Sequence, residues 1–161
     1  MSEVTIKPFE KRYEPGVIAL ITSIQKEFGI NITLEDQPDL LRIGEEYIEI
    51  GGNFWIALSD DQVVGTIALV KLADGNGAIK KMFAAPAYRG EKQVGKKLLE
   101  TLLAYCTARQ DKNLYLGTVD TFIAAQKFYK KHGFVECPVT DMPEDYHVMA
   151  VDNVFFKKSL V

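Results

Sequence analysis

Between residues 53 and 84 the apolar side chains abandon helical spacing and fall into three runs, 53–58, 63–72 and 78–84, rich in Val, Ile and Phe. Runs of that length and composition read as strands. Asp60-Asp61 and Asp74-Gly75-Asn76-Gly77 separate them. The second is a strong hairpin signal, because Asp, Asn and Gly accept the left-handed backbone that a tight hairpin turn requires. Strands joined by connections this short pair as an antiparallel meander. Any fold open to this chain has to be built around that sheet.

Helical spacing returns on both sides of it. Residues 4–9, VTIKPF, alternate like a short strand. Glu14 and Pro15 open a helix that keeps Val17, Leu20, Ile21, Ile24 and Phe28 on one face and ends at Gly29. A shorter helix is predicted over 40–50, with Leu41, Ile43, Tyr47 and Ile50 inward and Gly51-Gly52 as its stop. Beyond Pro86 the pattern predicts a helix over 94–110 and a strand over 113–118. A helix over 121–132 follows, with Phe122, Ala125, Phe128 and Tyr129 on one stripe and Gly133 closing it. Strands at 134–137 and 147–156 complete the chain. This order predicts an α/β fold with a mixed, twisted sheet covered by helices. No repeat, linker or low-complexity stretch divides it, so residues 1–161 are expected to form one domain.

Composition narrows the function. The chain is 47% hydrophobic and 25% charged, as soluble globular proteins are. No apolar run reaches bilayer length, and the N-terminal stretch has no apolar core of the signal-peptide kind. A net charge of −3 argues against binding nucleic acid through bulk electrostatics. Two cysteines cannot make a disulfide framework, and no Cys/His cluster has zinc spacing. Cytoplasm is the expected compartment, with no membrane, nucleic-acid or metal partner.

Against that acidic background, YRGEKQVGKKLL (88–99) is locally basic at what should be a helix start. Such an end carries about half a positive elementary charge and favours acids, yet Lys92, Lys96 and Lys97 crowd it, Arg89 stands just upstream, and only Glu91 opposes them. No Ser, Thr, Asp or Asn stands where an N-cap is needed. An anion such as a phosphate or diphosphate would satisfy both the free N–H groups and the lysines. Gly90 and Gly95 would let it approach the main chain closely. The pattern matches neither a P-loop nor a dinucleotide-binding glycine motif.

MFAAPAYRGEKQVGKKLL resembles motif A of the GNAT superfamily of acetyl-CoA-dependent N-acetyltransferases, a strand, P-x-Y-R-G-x-G-x-G and a helix. The superfamily's motif B, A-x-x-F-Y-x-x-x-G-F, is matched by Ala125, Phe128, Tyr129, Gly133 and Phe134. VVGTIALV and VTIKPF are similar to its third and first strands, so the resemblance spans essentially the whole chain. It implies a GNAT fold of about six to seven strands flanked by about four helices. It also implies acetyl-CoA as co-substrate and a small-molecule or peptide amine as acceptor. By the same resemblance, Met82, Phe83 and Ala84 would pair with the pantetheine arm. Arg89, Gly90, Gln93, Val94, Gly95 and Lys96 would hold the diphosphate on their N–H groups. Tyr129 would protonate the departing thiolate. A homodimer is a further expectation, since relatives often pair through the last strands. The same resemblance admits an acyl-CoA sensor without efficient turnover, or another acyl donor or acceptor.

The chain departs from the family pattern in the loop, which is one residue longer and carries Gln93 where Gly is usual. Having a Cβ, Gln93 is expected to avoid positive φ and to force an altered path around the diphosphate. Phe122 replaces an Asn common in relatives, removing one polar contact. For a general base, Glu46, Glu49, Asp120 and His147 are candidates, and Lys81 could serve only with a strongly lowered pKa. His132 is expected merely to favour its helix C-terminus, and Cys106 to be a small buried hydrophobe. Acceptor contacts are expected from 28–39 and 138–147, where Asp141, Glu144 and Asp145, beside Tyr146, could attract a cationic amine.

Overall fold

In the computed structural model, which describes residues 3–161, the meander is present at the positions expected from the turns. Strands β2 (Asn53–Ser59), β3 (Gln62–Lys71) and β4 (Asn76–Ala84) pair antiparallel in sequence. Asp74 and Gly75 take φ of +61° and +76°. Asp60 and Asp61 do the same, at +50° and +64°, without any glycine. Two successive left-handed residues match the right-handed twist of the flanking strands. Strand β1 (Thr5–Pro8) adds to β2 antiparallel, and β5 (Asn113–Thr118) adds to β4 in parallel. With β6 (Val135–Cys137) and β7 (Val154–Ser159) these make a seven-stranded sheet in the order β1-β2-β3-β4-β5-β7-β6.

The central strands are apolar on both faces, and each face takes its own helices. Phe54, Ile56 and Leu58 of β2 meet Val17 and Ile21 of α1 (Glu14–Glu27). The alternate residues Trp55 and Ala57 join Leu98, Leu99, Leu102 and Cys106 of α2 (Val94–Ala108). Helix α3 (Ile123–Lys131) covers the same face through Tyr129 and Phe128. A one-turn π-helix, Gly44–Ile48, completes the cover on the α1 side.

Two segments depart from expectation. The predicted helix over 40–50 is instead a 3-10 turn (Pro38–Leu41) followed by the π-turn, because Arg42 breaks the helical path at φ −143°. Leu40, Ile43 and Tyr47 point inward, whereas Leu41 and Ile50 are exposed. The last strand begins at Val154 rather than at 147, since its partner β5 ends opposite it at Thr118. Residues 147–153 form an irregular loop, tied back by the Asn153 N–H to Thr118 O (3.0 Å).

The placement of α2 rests on a missing side chain. A Cβ at Gly65 of β3 would lie 2.7 Å from Val94 Cγ1 and 2.9 Å from Leu98 Cδ1. The bare Cα therefore lets the first turn of α2 settle directly on β3, beside the end of β4. Gly65→Ala is expected to cost about 1–3 kcal/mol through overpacking. Thermal unfolding should show Tm lower by about 2–4 °C for each kcal/mol in a chain of this size.

Candidate active site

The sheet opens at its centre. The parallel ladder between β4 and β5 joins only Asn76–Asn113, Gly77–Leu114 and Ala78–Tyr115. From Ile79 onward β4 is paired to β3 alone, while β5 continues only beside β7. Here β4 also carries a bulge: Phe83 faces Thr66 and Lys80 faces Ala68, so Lys81 and Met82 share one position opposite Ile67. Lys81 sits at φ +51°, a region that a residue with a Cβ occupies only under strain. The buried Thr66 hydroxyl holds it there by donating to Lys81 O (2.7 Å).

Loop 85–93 carries the chain from the end of β4 to α2. Helix α2 has no side-chain cap and no acid in its first turn; the Glu91 side chain lies outside the described residues. Gln93 corrects the sequence reading. It takes φ +54°, ψ +33°, the left-handed conformation that its Cβ was expected to exclude, and so enters the helix as a glycine would. Gly90, at φ +64°, has open space around it, and a Cβ on Gly95 would find nothing nearer than Met82 Cε at 3.5 Å. Arg89 turns away from the helix start. Its Nη atoms grip Glu27 at 2.9 and 3.0 Å, its Nε donates to Ala84 O, and its guanidinium lies over Phe28. Phe122 packs edge-on against Phe28, with ring centres 4.8 Å apart, which gives this departure from the family pattern a packing role.

The chain thus runs from Met82, Phe83 and Ala84 at the end of β4 through Gly90 and Gln93 to Val94, Gly95 and Lys96 at the start of α2. Of this set only Met82 and Phe83 line the cavity described below. The main-chain N–H groups of Arg89 and Gln93 already donate to Pro86 O (3.4 Å) and Gly90 O (2.9 Å), respectively. Val94 is buried; Lys96 and Lys97 are exposed. An edge of strand leading to an uncapped helix N-terminus can take an extended ligand as an added strand and a phosphate at its end.

A cavity of about 510 Å³ lies where β4 and β5 part, lined by Lys80, Lys81 and Met82 on one side and Gly117, Tyr129 and Asp152 on the other. Tyr129 is 7% exposed and packs against Phe134 and Phe156. Among the described residues its hydroxyl meets only Met82 Sδ, at 3.4 Å, a weak acceptor. Burial, helped by the Asp152 charge, raises its pKa well above the usual phenol value, so it stays a proton donor. Lys81 donates to Gln37 Oε1 (2.7 Å) and lies 3.6 Å from Asp39. Gln37 in turn exchanges amide hydrogen bonds with Gln25. Burial lowers the pKa of both Lys80 and Lys81. The Lys80 ammonium donates to His147 O (3.0 Å) and stands 4.1 Å above the Tyr146 ring.

The sequence candidates for a base scatter. Glu49 and Asp120 are exposed and outside the cavity; Glu46 lines it but pairs with Arg42, at 3.6 Å. His147 lines the cavity from an exposed position. Of the acids in 138–147, Asp141 pairs with Lys157 and Asp145 accepts from Ala73 N–H (2.8 Å) while lining the cavity. Asp39, at the end of the 28–39 stretch, and Asp152 were not singled out from the sequence, yet these are the acids whose charges act on the two lysines. Neither residue type nor spacing in the sequence marks either as part of a site. His132 caps its helix, with Nδ1 2.9 Å from Phe128 O, and Cys106 is buried, its thiol pushed up to about 12 by desolvation. Among the described residues no group of three or more His, Cys, Asp or Glu could hold a metal ion, and no helix is long and apolar enough to cross a membrane.

Comparison with known proteins gives a consistent picture. A family model described as "Acetyltransferase (GNAT) domain" matches residues 51–136. The uncharacterized N-acetyltransferase YsnE of Bacillus subtilis is 30% identical over 147 residues, 87% of this chain and 92% of its own. A crystal structure of an acetyltransferase of the GNAT family from Staphylococcus aureus Mu50 is 40% identical, with a TM-score of 0.95 over 98% of this chain and 99% of that one. The PaiA N-acetyltransferase of Thermoplasma acidophilum, solved in complex with coenzyme A, shares the fold (TM-score 0.74, 98% and 99% covered) at 15% identity.

The left-handed residue at the helix entry can be tested directly. Gln93→Gly relieves a conformation costing about 1–2 kcal/mol, offset by about 0.4–1 kcal/mol of added unfolded-state entropy. Its Tm should equal or exceed that of the wild type. Gln93→Val, β-branched at positive φ, should lose about 1–3 kcal/mol.

Proposed function

The chain belongs to the GNAT acetyltransferase family, and on that premise we propose that it moves an acetyl group from acetyl-CoA directly to a primary amine of a small molecule or peptide, within a ternary complex. The observation that carries this reading is the free edge of β4 from Ile79 to Ala84, running into the uncapped N-terminus of α2. Residues on both fit the co-substrate. Main-chain groups of Met82, Phe83 and Ala84 would hold the pantetheine arm as an added strand. The N–H groups of Gly90, Val94, Gly95 and Lys96 would hold the diphosphate, with Arg89 and Gln93, whose N–H groups are engaged by Pro86 O and Gly90 O, shaping the loop around it. Bound there, acetyl-CoA supplies the activated thioester.

Tyr129 is the general acid in this reading. Its hydroxyl projects into the cavity beside Met82, protonated and held by nothing stronger than a thioether. A departing thiolate is a far better acceptor than that thioether, so the proton moves to sulfur as the carbon–sulfur bond breaks. The bulge at Lys81 turns main-chain groups of β4 toward the opening, where an N–H could stabilise the developing oxyanion. A cavity of about 510 Å³ suits a small amine or one side chain of a peptide.

The cofactor half of the proposal is tested by thermal shift. Acetyl-CoA at a hundredfold excess over Kd should stabilise the wild type by about 2.7 kcal/mol, and ATP should not. Gly95→Glu should abolish that shift while folding normally, since a Cβ at 95 meets only ordinary contacts. The chemical half is tested by Tyr129→Phe. This variant should keep the shift but lose about 10²–10⁴-fold in kcat against a panel of polyamines, aminoglycosides and amino acids.

A further inference from the structure

Five carboxylates line the cavity: Asp36, Asp39, Glu46, Asp145 and Asp152. Four are engaged. Asp36 accepts from the Thr33 N–H and hydroxyl, both at 3.0 Å. Asp39 accepts from the Tyr47 hydroxyl and neutralises Lys81. Glu46 faces Arg42, and Asp145 caps the Ala73 N–H. The Asp152 carboxylate takes no hydrogen bond and no ion pair among the described residues; only longer-range attraction from Lys80 and Lys81 acts on it. It lies against the bare Cα of Gly117, where a Cβ would come within 2.7 Å of Asp152 Oδ2 and 3.0 Å of the Tyr146 hydroxyl. Gly117 belongs to the part of β5 that has left β4, so the carboxylate stands in the fork of the sheet. Tyr129 is within reach of its charge. The Tyr146 hydroxyl beside it is buried against the same Gly117 main chain.

Resting on the acetyl-transfer reading, we propose that Asp152 is the general base that takes the proton from the acceptor ammonium. The charged and titratable groups that face it are Lys80 and Lys81 from β4, Tyr129 from α3, and Tyr146 from the loop before β7. The two lysines hold down the ammonium form of an amine entering between them, and the unoccupied carboxylate accepts the proton it sheds. The freed lone pair forms the nitrogen–carbon bond to the acetyl group as the carbon–sulfur bond breaks, and sulfur takes the Tyr129 proton. The second proton lost from nitrogen restores the Tyr129 phenol through solvent, and Asp152 returns its own to solvent. Burial keeps the pKa of Asp152 above the usual carboxylate value. The base is therefore active above that raised pKa and lost as pH falls through it.

The test is Asp152→Asn, with acetyl-CoA thermal shift as the measure of a folded, loaded protein. Alkylamine acceptors, protonated near neutral pH, should lose about 10²–10⁴-fold in kcat/KM. Hydroxylamine, unprotonated there, should lose less than tenfold. In the wild type, the acidic limb of the kcat/KM profile should keep its position across alkylamines of different basicity, and it should be absent in the variant. Equal loss for all acceptors, or an acidic limb that survives in the variant, would overturn the proposal. So would a limb that follows the acceptor pKa, a measurement that needs no variant. A wild type that acetylates no amine, or shows no acetyl-CoA shift, would instead overturn the acetyltransferase reading. His147→Gln separates the neighbouring imidazole and should leave the limb in place.

Discussion

In the middle of a seven-stranded sheet, β4 has hydrogen-bonded neighbours on both sides for only three residues. Everything that gives this protein a site follows from that interruption. A strand edge has main-chain donors and acceptors that require partners, and here the edge is held inside the fold rather than at its rim. The bulge at Lys81 turns β4 away from β5, and the Thr66 hydroxyl fixes the turn from the buried side. The close seating of α2 on Gly65 then brings the free end of a helix to the end of the same strand. In the proposed reading, the groove for an extended ligand, the place for its anion and the cavity for the second substrate are three results of one divergence.

The electrostatics of the cavity follow a similar economy. Lys81 is absorbed into a network with Gln37, Gln25, Asp39 and Tyr47 that ties the segment after α1 to the bulge. Lys80 is absorbed by a carbonyl and an aromatic face. Two half-buried cations and a set of engaged acids leave one acid unengaged among the described residues, at the fork of the sheet within reach of Tyr129. Arg89, Glu27, Phe28 and Phe122 form a separate clamp joining the end of α1, the loop before α2 and the start of α3. Arg89 therefore acts on the site through the path of its main chain.

Legibility in the sequence followed locality. The meander was readable because each hairpin is decided by its own turn residues, and α1, α2 and α3 because their apolar faces recur at helical spacing. Gly133 marked the end of α3 correctly, at φ +89°. Residues 40–50 misled, since Leu40, Ile43 and Tyr47 have helical spacing whether or not the backbone between them is helical. Tertiary partners decide there: Tyr47 reaches Asp39, and the chain breaks at Arg42 to let it. The start of β7 was misplaced because the extent of a strand is set by its neighbour, and β5 ends at Thr118. Gln93 was misread by treating a conformational preference as a prohibition; a cost of about 1–2 kcal/mol is small beside the packing of α2.

The sequence by itself determined the family, the order of the elements, the strand–loop–helix unit with its surplus of positive charge, and Tyr129 as a residue of interest. These are carried by short contiguous motifs, whose chemistry is local. Only the tertiary structure decided which acids enter the cavity and which are spent elsewhere. Asp39 and Asp152 stand 113 positions apart in the sequence and come to the same two lysines because β4 and β5 part between them. A carboxylate is available for chemistry only if nothing else in the fold has claimed it, and that is a property of the whole arrangement of chains around it.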